Sequence, residues 1–166
     1  MDAIFKRRSI RKYTNKEVTE ETITELLKAG MAAPSAGNAQ TWEFVVIDDD
    51  EILKKIPEIH NYANMVPDCS KAILVCGNKK LEKYDGFWPQ DCSAATENIL
   101  IAATDKGLGA VWLGIYPTED RVDDFKELFD LPEHIIPFSM IPVGHPAEEK
   151  DKADRYKEEK VHYNKW

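Results

Sequence analysis

The sequence predicts one domain of the α+β or α/β class, and three observations lead there. Segments with the apolar period of amphipathic helices alternate with short β-branched and aromatic runs, which fits neither an all-helical nor an all-β fold. The 166 residues suffice to bury a core without disulfides or metal, and no repeat, low-complexity tract or Gly/Ser linker divides them. Hydrophobic residues make up 43% and charged residues 31%, the balance of an ordinary globular protein.

Taken in order, residues 2–8 read as a short helix. A clearer one covers 19–31: Thr19 is a good N-cap, Glu20 and Glu21 suit the first-turn dipole, and Val18 with Ile23 can form a hydrophobic staple. Ile23, Leu26, Leu27 and Met31 make its apolar stripe. "PSAGNAQT" breaks that helix, and "EFVVI" (43–47) is a strand. A short helix follows near 50–56, then "KAILVCG" (71–77) as a buried strand. Residues 89–106 form a longer helix rich in small residues, ended by Gly107 as a C′ glycine. "AVWLGIY" (110–116) is strand-like, Thr118 caps a helix carrying Val122, Phe125, Leu128 and Phe129, and "PFSMIPVG" (137–144) is a last strand, at an edge or bent by Pro142. Residues 147–166 differ in kind: 12 of the 20 are charged, with Tyr156, Tyr163 and Trp166 among them. They read either as a solvated tail or as an arm whose aromatics bury against a second subunit.

Charge and cysteine usage narrow the function classes. The net charge of −8 argues against general affinity for nucleic acid or anionic membrane. No apolar run approaches the ~20 residues of a membrane span, and the start "MDAIFKRRS" has neither a signal core nor a cleavage site, so a cytoplasmic location is expected. Cys69, Cys76 and Cys92 form no C-x-x-C pair and read as reduced core thiols. The four histidines are scattered, and no metal site is expected.

Against that acidic total, "KRRSIRK" (6–12) holds five cations in seven residues. Arg7 and Arg8 can complement a helix C-terminus, the run can be a solvated face, or it can be a small nucleic-acid patch. Alternatively, an extended chain would point Arg7, Ser9 and Arg11 to one side, as a convergent site for a terminal phosphate. Spacing alone favours the ordinary readings, the nucleic-acid patch least among them given the net charge. "APSAGNAQTW" (33–42) has the composition of any turn, yet Ser35, Asn38 and Gln40 offer hydrogen bonds beside a flexible Gly37. "GLGAVWLGIYP" (107–117) is no dinucleotide fingerprint, because its glycines follow a helix and open a strand. With no P-loop or nucleophile elbow either, any hard chemistry belongs to a cofactor.

Together, "RRSIRKYT", "APSAGNAQTWEFVVI", "GLGAVWLGIYP", "MIPVGHPAEEK" and the charged arm resemble the nitroreductase family of flavin oxidoreductases, in the family's order from the first helix to the last residue. The resemblance implies an α+β three-layer sandwich, with a central mixed, mainly antiparallel sheet flanked by helices. It also implies one unit over 1–166, an intertwined homodimer with a C-terminal arm, and an FMN at each subunit interface. By likeness, Arg7, Arg8, Ser9 and Arg11 hold the FMN phosphate and ribityl chain, and Arg11 reaches the N1/O2 edge of the ring. Pro34, Ser35, Asn38 and Gln40 touch the FMN of the other subunit. Trp112, Leu113 and Gly114 lie near the N5 side, Asn61 near the pyrimidine edge, and Arg155 closes on the phosphate.

The same resemblance implies ping-pong hydride transfer from NADH or NADPH, through FMN, to a small acceptor such as a nitroaromatic or a quinone. The flavin carries the chemistry, with no protein nucleophile. Two departures stand out. Asn64 occupies the place where some relatives carry a lysine, and only about a dozen residues separate the 71–77 strand from the long helix, so a more open pocket is expected. Trp42, Phe87 and Trp88 are candidates to shape it. The alternatives are a specialised flavoprotein (flavin-fragmenting, dehalogenating or ferredoxin-linked) and a non-catalytic FMN-binding dimer.

Overall fold

The computed structural model describes residues 2–166. Its helices are α1 (Asp2–Lys6), α2 (Glu20–Met31), α3 (Asp50–Ile59), α4 (Trp88–Asp105) and α5 (Glu119–Leu128). Its strands are β1 (Trp42–Ile47), β2 (Lys71–Asn78), β3 (Gly109–Ala110), β4 (Leu113–Gly114) and β5 (Ile135–Gly144).

The fold is α+β and grows outward from β2, whose residues Lys71 to Gly77 are all buried. A strand tolerates that pattern only when both of its faces are covered. Alternate side chains serve the two faces. Ile73 and Val75 join Leu26 of α2 and Ala95 and Ile99 of α4 in one core. Ala72, Leu74 and Cys76 join Leu53 and Ile56 of α3 and Phe125 of α5 in the other. Three layers result, helix pair, sheet and helix pair, each buried aliphatic or Phe contributing about 1.5–3 kcal/mol. The strand order is β1-β2-β5-β3, with β4 also on β5, and every ladder is antiparallel. Among the described residues, parallel pairing is limited to the isolated bridge Ser9–Ala110.

Several sequence expectations hold and several need correction. Thr19 caps α2, accepting from Thr22 N–H at 3.2 Å, and Val18 and Ile23 are buried in the same core. Met31, assigned to the apolar stripe, is exposed. Gly30 makes the close approach to Ile99 instead, and the next residue points about 100° further round the helix. The first helix stops at Lys6 rather than at residue 8. The helix near 50–56 runs on to Ile59, with Asp49 accepting from Glu51 and Ile52 N–H and Pro57 inside the last turn. Gly107 ends α4 with φ of +70°, as a C′ glycine should.

The strand expected over 110–116 is two short strands, broken at Val111–Trp112. The last strand is interior rather than at an edge. Pro142 is tolerated there because its free side falls in the gap between β3, opposite Val143 and Gly144, and β4, opposite Ser139 and Met140. The Pro142 carbonyl faces that gap, 3.4 Å from the Tyr13 hydroxyl, and the ring nitrogen on the same side of the strand has no ladder partner to lose. The three cysteines are free and buried, and burial pushes the Cys69 and Cys76 thiols up to about 12. No helix among the described residues is long and apolar enough to cross a membrane.

Gly77 faces Trp88 so closely that an added Cβ would lie 2.1 Å from the indole. Gly77→Ala therefore forces the ring to move inside a filled core. We expect a loss of about 1–3 kcal/mol, read as a lower urea midpoint at unchanged m-value, with a shift in tryptophan emission.

Candidate active site

The chain leaving α1 docks on the sheet edge. Ile10 N–H donates to Ala110 O at 3.0 Å, and Ser9 bridges Ala110. This places the cationic run between two cavities. The first, about 210 Å³, is lined by Ile4, Phe5, Arg7, Arg8 and residues 153–156, including Arg155. The second, about 460 Å³, is lined by Arg11, His60, Asn61, Tyr62, Asn64, Met65, Trp112, Leu113, Gly114 and Arg121. The expected two-residue alternation does not hold. Arg7 and Arg8 share the first cavity, because Arg7 N–H still donates to Ala3 O and continues the helical turn, while Arg11 reaches the second. Ser9 contributes backbone here, its carbonyl accepting from Lys150 Nζ at 2.6 Å.

The chain has five arginines and seventeen lysines. All five arginines line these two cavities, and none of the lysines does. Arg7 is partly neutralised by Glu97 of α4, with Nε 3.3 Å from the carboxylate. Arg8 is different: its Nε is buried without a hydrogen-bond partner among the described residues. A desolvated guanidinium N–H left unpaired costs about 1–3 kcal/mol or more, which an anion seated in the cavity would recover.

The wall of the second cavity is set by one carbonyl. Gly114 O accepts from Arg121 Nη1 at 3.0 Å and lies 2.9 Å from His60 Nε2. Tyr62 N–H donates to His60 Nδ1 at 3.2 Å, so the ring proton sits on Nε2 and also points at Gly114 O. Burial drives the His60 pKa below its ordinary value, against the opposing pull of its bond to Gly114 O, and the neighbouring Arg121 lowers it further. A Cβ built on Gly114 meets nothing within 4 Å, so open space borders the glycine.

The 34–40 loop lies elsewhere. Pro34, Ser35, Asn38 and Gln40 line neither cavity. Next to the loop, Trp42 pairs with Gly77, at the end of the sheet opposite Ala110 and Val143. The loop is held from below: Asp91 of α4 accepts from Ala36 N–H at 2.9 Å and from the Thr41 hydroxyl at 3.0 Å. Ser35 Oγ accepts from Gln40 N–H, and Lys83 donates to Gly37 O. Gly37, Asn38 and Gln40 all have positive φ, and the last two are non-glycine residues kept in a sparsely populated region.

Sequence reading missed His60, Tyr62 and Arg121. His60 and Tyr62 flank Asn61, which was singled out, whereas Arg121 lies in an ordinary charged helix face and carries no local signal. A further cavity of about 580 Å³ is lined by Lys79, Trp88, Tyr116, Pro117, Glu119, Val122, Asp123 and Ile136. It includes none of the residues assigned to the cofactor, and its cation, Lys79, is already paired with Glu82. No group of three or more metal-binding side chains exists among the described residues.

A pair of arginine-lined cavities, one of them walled by an open backbone glycine, on this α+β sandwich, is accompanied by direct kinship. The chain belongs to the nitroreductase family, whose model matches residues 4–68 and 73–145. A Methanothermobacter thermautotrophicus relative named "Putative NADH dehydrogenase/NAD(P)H nitroreductase" is 52% identical over all of this chain and 87% of its own length. An FMN-dependent nitroreductase from Clostridium difficile superposes with a TM-score of 0.91 at 29% identity, covering 100% of both chains. A Desulfovibrio desulfuricans structure solved in complex with FMN has a TM-score of 0.85 at 30% identity, covering 99% and 96%.

His60 gives a pH signature. Above its ordinary value of 6.5 the side chain is neutral folded or unfolded, so it adds no pH dependence. Below 6.5 the unfolded chain takes up a proton that the folded chain resists, so the unfolded state is favoured as pH falls. Urea denaturation should therefore show stability dropping below pH 6.5, and less steeply in His60→Gln.

Proposed function

We propose that this protein is an FMN-dependent oxidoreductase that takes hydride from NADH or NADPH and passes electrons to a small acceptor such as a nitroaromatic or a quinone. It acts as a homodimer, with residues 1–166 as one FMN-binding unit. The observation that carries the reading is the gathering of all five arginines around two cavities, the second of them walled by Gly114. Two features make the residues fit FMN. The orphaned Arg8 Nε asks for an anion, and the open face of Gly114 admits a flat group against the backbone. The relatives named above for FMN and NAD(P)H support the same assignment.

Arg7, Arg8 and Arg155 hold the phosphate, since planar guanidinium forks suit it better than lysine ammonium groups. Ser9 meets the ribityl chain, and Arg11 and Asn61 reach the pyrimidine edge. Trp112, Leu113 and Gly114 form the wall along the ring. Bound there, FMN supplies reversible two-electron chemistry between a nicotinamide donor and an acceptor that use the site in turn. The protein's part is positioning, electrostatics and exclusion of water. Because neutral His60 commits its ring proton to Gly114 O, it holds backbone and moves no proton.

The 34–40 loop sits at the far end of the sheet from the arginines of its own chain, so a second copy brings Pro34, Ser35, Asn38 and Gln40 to the cofactor. The arm supports that assembly: Tyr156, Tyr163 and Trp166 are at least 76% exposed, an apolar surface that a partner would cover.

Two measurements test the reading. Purified protein should be yellow with flavin absorbance, and NADH or NADPH should bleach it under anaerobic conditions until a nitroaromatic or quinone restores the colour. Protein that stays yellow with either nucleotide would exclude NAD(P)H as donor. Deleting residues 150–166 should turn a dimer into monomer or aggregate by light scattering, and an intact FMN-bound dimer would exclude the arm as a clamp.

A further inference from the structure

We propose that Arg121, outside the motifs that carry the family likeness, stabilises negative charge on the flavin bound beside Gly114, with His60 as the positioning residue that fixes the carbonyl to which Arg121 is anchored. The inference rests on the FMN assignment above and extends it to two residues that the motifs leave unmarked.

Arg121 lies on α5 among Glu119, Asp120, Asp123 and Asp124, yet no carboxylate of the described residues comes within ion-pair distance of it. Its side chain turns instead to the cavity it shares with Arg11. There one N–H meets Gly114 O at 3.0 Å, and the guanidinium stands over the Tyr62 ring, 5.9 Å from its centroid. The remaining N–H donors of its guanidinium have no protein acceptor among the described residues. A half-buried cation fixed at two points and left without a counter-charge is pre-organised for an anionic ligand.

Gly114 O explains why the anchor takes two residues. A carbonyl oxygen has two lone pairs, and unpaired it would present partial negative charge to the cavity. His60 Nε2–H and Arg121 Nη1 occupy both. The wall beside the cofactor is thereby stripped of its negative pole and given a positive one. Asn61 and Asn64 of the same cavity bring hydrogen bonds but no charge, so Arg11 and Arg121 are its two arginines. Reduced flavin is more electron-rich than oxidised flavin, so a fixed cation binds the reduced form more strongly and raises the reduction potential.

The test compares the FMN midpoint potential and the dissociation constant of oxidised FMN in wild type, Arg121→Met, Arg121→Lys, His60→Leu and His60→Gln. Arg121→Met should lose at least tenfold in preference for reduced over oxidised flavin, about 30 mV for a two-electron couple, while still binding oxidised FMN. Arg121→Lys, which keeps the charge, should recover most of the loss. His60→Leu should fall in the same direction by a smaller step, rescued by the donor that Gln retains. An unchanged potential in Arg121→Met overturns the proposal, as do equal falls in Arg121→Met and Arg121→Lys, or an Arg121→Met protein that no longer retains FMN. Wild-type protein that binds no FMN would instead sink the cofactor reading on which the proposal rests.

Discussion

The docking of residues 9–14 onto the sheet edge is the constraint on which the site depends. Ile10 and Tyr13 lie against Gly109 and Gly144, where a Cβ would approach them to 2.6 and 2.8 Å. Only glycine lets the segment come so close. Backbone bonds then zip it in place, Ile10 N–H to Ala110 O, Thr14 N–H to His145 O and Ala147 N–H to Lys12 O. The Tyr13 hydroxyl donates to Ile10 O at 2.8 Å, and burial drives its pKa far above the ordinary tyrosine value, so it stays a donor. Arg8 and Arg11 reach different cavities because this stretch is immobilised between them.

Charge is apportioned by residue type. Lysines make the surface pairs, such as Lys6 with Asp2, Lys54 with Glu51 and Lys106 with Glu25. Pairs of this exposed kind are screened by solvent and add little to stability. Of the arginines, Arg7 alone makes an ion pair among the described residues, with Glu97. A chain of net charge −8 thus keeps a concentrated positive field at one place, where the surrounding negative surface limits non-specific attraction of other polyanions.

How much of this was legible in the residues follows from what each signal depends on. Thr19, Gly107 and the apolar run 71–77 act through neighbours in sequence, so helix α2, the end of α4 and strand β2 were readable directly. Pro142 misled because its effect depends on a gap between two strands formed by residues about thirty positions earlier. Arg7, Arg8, Arg11, Asn61 and Gly114 stood out through composition and likeness. Arg121 did not, since one arginine in an acidic helix gains meaning only when the fold turns it toward Gly114. The loop at 34–40 announced itself through Gly37 and its polar neighbours, but Asp91, which holds it, is indistinguishable from any acid in the first turn of a helix.

Helix α4 carries that aspartate and also Glu97, which pairs with Arg7. The two acids are separated by six residues, about 9 Å of rise at 1.5 Å each. One helix therefore braces the loop at one end of the sheet and the arginine run at the other. In mechanical terms it is a gauge block: the spacing between the two regions is set by covalent rise and not by soft side-chain contacts. An inserted residue in that span would rotate one acid about 100° relative to the other, and the buried Ile99, Leu100 and Ala103 relative to Cys92, so the two regions and the core they share could not keep their register together.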